Sequence, residues 1–320
     1  MGISGTRTIW QIAGGPSNRS YADVFLKYYV GLIGPGDAGK WEPGRKDEDF
    51  EGSFTRQLAS EAKEGDILLL RTGQSTIIAV GIIASDYVFL SQFDDVNGWD
   101  LQHGRRVRWC KLAKDYTFEG KVFGANPRRF SRTNDSKVRL FAEKFLNSPP
   151  TDWQSSPLPT LPKEELEMKY PPKAIADLIA QAKDFAGMFY DQKRWGDFPS
   201  EHEMVSHFAV PFFRALGWQT ELIGVEWKNV DIALFRKLPR CSDNCQFVVE
   251  AKSYGSGVEG ALNQAKLYVS KLGRPLDVIL TDGIRYRMYS GQKDFEPIAY
   301  ANLLRLKESA NKFFELVKRS

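Results

Sequence analysis

QFVVEAKSYG, residues 246–255, decides the fold of the second half of the chain. Phe247-Val248-Val249 is a short apolar run with β-branched residues, which predicts a buried strand. The strand ends on Glu250 and Lys252. Side chains two apart on a strand share a face, so the carboxylate and the amine stand side by side while Ala251 faces the other way. An ordinary ion pair at a half-exposed strand end is the plain alternative.

Nineteen residues upstream lies a second lone carboxylate. Asp231 sits among Val230, Ile232, Ala233, Leu234 and Phe235 in another predicted strand, 230–235. A carboxylate in such a setting is costly to bury without a partner or a cation. Two carboxylates on adjacent strands repel, and a divalent cation relieves the repulsion. Oxygen ligands with room for waters suit Mg²⁺. Lys252 beside it could orient a water or neutralise developing charge.

Helix 200–216 is predicted from its apolar spacing. It opens on Ser200 and Glu203, an S-x-x-E capping box, and stops at Gly217. Glu201 precedes Val205, Phe208 and Phe212 by four, seven and eleven residues, which places it on the apolar face. It is therefore preferred over Glu203 as a further site carboxylate, with simple capping as the alternative for both. In helix 259–273, Gln264 and Tyr268 are four apart and share one face. Further predicted elements are a helix at 173–190, strands at 277–283 and 285–291, and a C-terminal helix. The order α–β–β–α–β implies a mixed sheet flanked by helices.

Taken in order along the chain, these features resemble the PD-(D/E)XK nuclease superfamily, and within it the nuclease domain of type I restriction motor subunits. The resemblance rests on Glu201, Pro211 and Leu216-Gly-Trp218; on Asp231-Ile-Ala-Leu; on Glu250-Ala-Lys252; on Gln264-Ala-Lys-Leu-Tyr268; and on Leu280-Thr-Asp-Gly283 before Tyr286. Asp282 stands where that family often has Asn. The resemblance implies that Asp231 and Glu250 hold Mg²⁺ and that Lys252 acts at the scissile phosphate. It also implies that Gln264 and Tyr268 support the site or the DNA backbone.

The first half differs. Residues 147–172 hold seven of the sixteen prolines and read as a semi-rigid linker. The expected division is thus 1–147, linker 148–172, and 173–320. Before the linker, strands are predicted at 8–15, 66–73, 76–89 and 105–112, and helices at 53–66 and 136–147. Residues 20–34 are ambiguous, with a helix preferred. This pattern predicts a compact, barrel-like α+β module. Residues 6–135 resemble EVE domains of the PUA-like superfamily. The carrying stretches are TIWQIAGG, Gly65-Asp-Ile-Leu-Leu-Leu-Arg71, Ile77–Ala84 and Trp99-Asp-Leu-Gln-His-Gly-Arg-Arg-Val-Arg-Trp109. The whole is expected to be an α+β, PUA-like (EVE-like) β-barrel module followed by an α/β, PD-(D/E)XK restriction-endonuclease-like domain.

A reader of modified bases extrudes the base and holds it between aromatic faces. The aromatic candidates are Trp41, Trp10, Trp99, Tyr87 and Phe89. Trp41 is the most suggestive, because it lies in a Gly/Pro-rich loop. His103 is either a donor to a base or a structural residue. Arg105 and Arg106, with Arg108, and a second cluster at Arg128, Arg129 and Arg132, could contact phosphates, the alternative being a solvated face.

Composition bounds the rest. With 44 Lys+Arg against 40 Asp+Glu, the net charge of +4 permits nucleic-acid binding without demanding it. Cys241 and Cys245 form a CxxxC without further Cys or His partners, so a zinc site is not expected. No apolar run is long enough for a spanning helix, no signal-peptide pattern opens the sequence, and no G-x-x-x-x-G-K-[ST] motif is present. The expectation is a cytoplasmic, prokaryotic, ATP-independent protein with no membrane role. It would be a modification-dependent, type IV or type IIM-like endonuclease, with Mg²⁺ as cofactor. It would act on double-stranded DNA carrying a modified base, first of all a modified cytosine, as a homodimer in phage defence. The alternatives are a binding protein that keeps the nuclease fold as a scaffold, and an RNA-directed nuclease.

Overall fold

A computed structural model describes the chain apart from residues 1–6, 16–19, 35, 37–38, 51, 97–98, 151–152, 154, 192–193, 195, 198, 255–257 and 320. Parts of two loops that carry candidate tryptophans, 35 and 37–38 before Trp41 and 97–98 before Trp99, therefore lie outside the described residues, as does Gly255. The chain divides into two compact units, residues 1–164 and 165–320.

Apolar runs buried almost throughout, at 9–13, 30–33 and 67–72, join more exposed stretches as the strands of the first unit. These are β1 (Ile9–Ala13), β2 (Val30–Ile33), β3 (Ile67–Thr72), β4 (Thr76–Ile83), β5 (Val88–Phe89), β6 (His103–Thr117) and β7 (Phe130–Arg132). The sheet order is β2-β6-β4-β3-β1-β7, with β5 added to β6, and the sheet curls as a half-barrel. The two-residue period sorts the runs between two cores. Leu68 and Leu70 join Trp10 and Ile12 on the side of helix α1 (Ala22–Tyr28), through Phe25. Ile67 and Leu69 join Ile9 on the other side, under Val138, Ala142 and Leu146 of helix α3 (Ser136–Asn147). The Asp135 carboxylate caps α3 by accepting from the Lys137 and Val138 amides. A short helix α2 (Phe54–Arg56) continues as a wide π turn over Gln57–Glu61.

The ambiguous stretch 20–34 splits. Helix α1 stops at Tyr29, which adopts φ +50°, and β2 begins at Val30. Gly81, in β4, faces Val107 and the Trp109 ring, and a Cβ there would come within 2.5 Å of Val107. Gly81→Ala is expected to cost about 1–3 kcal/mol by overpacking, seen as a lower urea midpoint with an unchanged slope.

The proline-rich stretch is shared between the units. Trp153 is buried in the α3 core, and Leu161 packs on the other core. The Arg106 and Arg108 guanidinium groups donate to the carbonyls of Pro159 and Ser156. Glu165, in the second unit, accepts from the Ser309 amide and hydroxyl.

The second unit holds a six-stranded sheet. Its strands are β8 (Ile223–Trp227), β9 (Val230–Phe235), β10 (Cys245–Ala251), β11 (Asp277–Thr281), β12 (Arg285–Ser290) and β13 (Glu296–Asn302), in the order β13-β12-β11-β10-β9-β8. β10 and β11 are parallel and joined through helix α7 (Leu262–Leu272), while the other pairs are antiparallel. Helix α4 (Ala176–Ala186) precedes a helical stretch built from α5 (Glu201–Met204), a π turn (Val205–Ala209) and α6 (Val210–Ala215). The π turn has a cause in the sequence. Pro211 has no N–H to offer the preceding turn, and its ring crowds the carbonyl four residues back, so the helix widens there. Phe212 then stacks on Tyr286 with ring centroids 4.0 Å apart. C-terminal helix α8 (Ala310–Val317) closes over this pair with Phe313 and Phe314.

Candidate active site

Strand register brings the two lone carboxylates together. β9 and β10 pair Val249 with Ile232, so one step further along Glu250 comes opposite Asp231. Residues opposite one another on antiparallel strands share a face. One Asp231 oxygen accepts from the Ala251 amide at 2.7 Å, which fixes the carboxylate at the end of the strand pair. Glu250 is only 1% exposed, and its Oε2 has no hydrogen-bond partner.

Lys252 completes the group. Its Nζ lies 3.4 Å from Glu250 Oε1 and 3.3 Å from Glu201 Oε1. Its backbone N–H donates to the Thr281 carbonyl, 2.8 Å away, which ties the end of β10 to β11. Ser200 and Glu203 form the predicted capping box, with the Glu203 carboxylate accepting from the Ser200 amide at 2.7 Å. Glu203 is therefore occupied at the helix start, and Glu201 is the carboxylate that reaches Lys252. Gln264 and Tyr268 bond to each other at 3.0 Å and make no hydrogen bond to Asp231, Glu250 or Lys252.

The electrostatics follow from burial and like charge. Glu250 is pushed up to about 7, first by burial and then by Asp231, against a smaller opposing pull from Lys252. Asp231 is also raised, by burial, with the Ala251 N–H and Lys252 opposing. Burial and like charge both make the two carboxylates hold a proton more readily when nothing else is bound there. Among the described residues no group of three or more His, Cys, Asp or Glu forms a ready cage for a metal ion. Two carboxylates, one of them with an orphaned, buried oxygen, nonetheless fit a hard cation that keeps most of its own waters, as Mg²⁺ does.

A cleft of about 340 Å³ opens beside this group. Its walls are Val205, Ser206, Val210, Val225 and Asp231, with His202 and Glu226 among the lining residues. His202 Nε2 lies 3.0 Å from Glu226 Oε1. Glu226 adopts φ +51°, and the β8–β9 turn carries Lys228 and Asn229 at φ +51° and +66°, a two-residue hairpin of the mirror-image type. Sequence reasoning missed His202 and Glu226.

The first-unit candidates fall in different places. Tyr87, Phe89 and His103 gather with Phe50. The Tyr87 hydroxyl lies 2.8 Å from His103 Nδ1, and the rings of Phe89 and Phe50 meet His103 edge-on. The Trp41 amide donates to the Tyr87 hydroxyl at 3.1 Å, and Trp41 Nε1 is buried with no hydrogen-bond partner. Burial pushes the Tyr87 phenol up to about 12. Trp99 packs edge-on against Tyr21 instead.

Two candidates are structural residues. Trp10 is 2% exposed, stacks on Phe130 at 5.0 Å and donates its indole N–H to Asp66, which leaves no ring face for a base. Arg105 is 3% exposed and spends its guanidinium on the carbonyls of Leu58, Ala59 and Ser85, which leaves little for a phosphate. Arg106 is half-buried against Pro159 and the α1 terminus.

Comparison with known proteins adds the following. The family model described as Domain of unknown function (DUF8426) matches residues 37–125, within the first unit. No curated protein matches. Among solved structures, a fragment assigned as the HsdR subunit of a type I restriction enzyme from Vibrio vulnificus YJ016 is similar at 19% identity and a TM-score of 0.26, over 38% of this chain. The chain spans 25% of the length of that structure. No helix among the described residues is long and apolar enough to cross a membrane.

Proposed function

We propose that the chain is a Mg²⁺-dependent DNA endonuclease whose first unit selects DNA carrying a modified base. The observation that carries the proposal is the buried Glu250 with its unpartnered oxygen, set beside Asp231 on the neighbouring strand and touched by Lys252. Asp231 and Glu250 would hold the cation. The chemistry such an ion supplies when bound is charge stabilisation at a phosphoryl oxygen and a more acidic water. Lys252 carries its positive charge to the same point, where it offsets charge developing on the phosphate or orients the attacking water. Glu201 holds the Lys252 side chain from the helix side, and the Ala251 amide keeps Asp231 from swinging away.

The Trp41–Tyr87–Phe89–His103 group is our choice for the base pocket of an EVE-like first unit, with a modified cytosine as the first candidate. Trp10 and Arg105 have no part in it. Cutting both strands needs two active sites, which favours a homodimer. The setting would be prokaryotic restriction of modified phage DNA, in the cytoplasm.

The test is digestion of one plasmid in four forms: unmodified, 5-methylcytosine, 5-hydroxymethylcytosine and glucosylated. Each is incubated with Mg²⁺ or EDTA, beside Lys252→Ala and a parallel RNA substrate. Cutting of one or two modified forms, lost with EDTA and in Lys252→Ala, is the expected result. No cutting of any DNA would sink the proposal. Trp41→Ala is expected to lower the rate on modified plasmid by about 5- to 100-fold, the worth of one stacked base, as measured by initial rates.

A further inference from the structure

We infer that the cleft beside Asp231 is a nucleoside subsite, which takes the residue next to the scissile phosphate and favours a base with an exocyclic amine, cytosine above all. The inference rests on the nuclease reading of Asp231 and Glu250 for its context, and on the cleft for its content. Asp231 belongs to both: it is one of the paired carboxylates and also part of the cleft lining. Whatever fills the cleft is therefore a neighbour of whatever is bound at the carboxylates. In a phosphodiester that neighbour is a nucleoside.

The lining matches such an occupant. Val205, Val210 and Val225 give flat apolar walls, and a volume of about 340 Å³ is of small-molecule size. Val225 is 51% exposed, an apolar side chain left open on the outermost strand. Besides Asp231 and Ser206, the polar lining is the pair of His202 and Glu226. The left-handed backbone at Glu226 costs energy in a residue with a side chain, and such outliers cluster at ligand sites. The Glu226 carboxylate, 3.0 Å from His202 Nε2 through one oxygen, keeps free lone pairs, and carboxylates pair well with the amine of cytosine.

The test needs no cleavage. The chain has three histidines, so the ring signal of His202 can be assigned by NMR in the full-length protein. Titration with dCMP in Mg²⁺ is expected to move the His202 signal. dTMP, which lacks the amine, is expected to bind about tenfold more weakly. Glu226→Gln should remove that preference. Val225→Trp, at an exposed edge position, should fill the cleft and abolish the shift. A His202 signal that dCMP does not move, or moves equally in Val225→Trp, overturns the inference. If the wild-type chain cuts DNA while His202 stays still, the cleft proposal alone fails. If His202 responds as expected but nothing is cut, the subsite stands and the nuclease reading fails.

Discussion

Glu250→Gln is expected to make the metal-free protein more stable at pH 8 while removing cleavage. The two effects share one cause. Glu250 is an acid with a raised affinity for its proton, from an ordinary 4.5 to about 7, chiefly because it is buried. Between those values the folded chain keeps a proton that the unfolded chain has lost. Stability therefore falls as pH rises through that window. The full span corresponds to about 3 kcal/mol, and a neutral amide escapes it. Thermal melts of both proteins in EDTA at pH 5 and pH 8 would show the curves converging at the lower pH. Adding Mg²⁺ at pH 8 should stabilise the wild type and leave the variant unmoved. Cleavage should drop about a thousandfold or more, since the several kcal/mol supplied by a held cation is lost. A variant less stable than wild type at pH 8 in EDTA would mean that the protein itself compensates the carboxylate, and the case for a cation there would fall.

Asp282→Ala is the second large effect, and it acts on the fold beneath the site. Asp282 is 1% exposed, and its carboxylate accepts from Arg285 Nη1 at 2.9 Å and from the amides of Ile284 and Arg285. Removing it leaves a guanidinium in a buried position without that counter-charge, a loss of about 3–5 kcal/mol. The turn it holds joins β11 to β12, and Thr281 at its start accepts the Lys252 backbone N–H. Gly283, at φ +84°, lies in the same turn, close against Met204 of α5. The expected result is a large fall in the denaturation midpoint of the second unit. Asp282→Asn keeps the hydrogen-bond acceptor and should lose less. Equal losses in the two variants would show that charge, not hydrogen bonding, dominates.

Much of the site's geometry was legible because strands have a short, strict period. The spacing of Glu250 and Lys252 put them on one face, and the helix phase chose Glu201 over Glu203, whose capping role was also readable. What escaped reading depends on three dimensions. Glu226 turns on a left-handed backbone that nothing in Val225-Glu-Trp227 announces, so the cleft was invisible. Gln264 and Tyr268 share a helix face as expected, yet they bond to each other. In the first unit an arginine at the start of a predicted strand could be read as a phosphate contact or a solvated face. Only the folded chain shows that carbonyls at 58 and 59, remote in sequence, already occupy Arg105. Trp10 was ambiguous for a similar reason, since Asp66 and Phe130 reach it only across the sheet. β8 and β13 were missed because edge strands with mixed burial carry no clean alternation.

The placement of β10 has a consequence for how the proposed activity would be lost. The strand is paired on both sides, antiparallel to β9 and parallel to β11, and Phe247–Ala251 are buried throughout. Amides of a buried strand paired on both sides are expected to exchange only through opening of the whole unit. Fraying at the periphery cannot reach Glu250. Activity and hydrogen-exchange protection of β10 should vanish at the same denaturant concentration, so that each molecule is either fully competent or wholly inert.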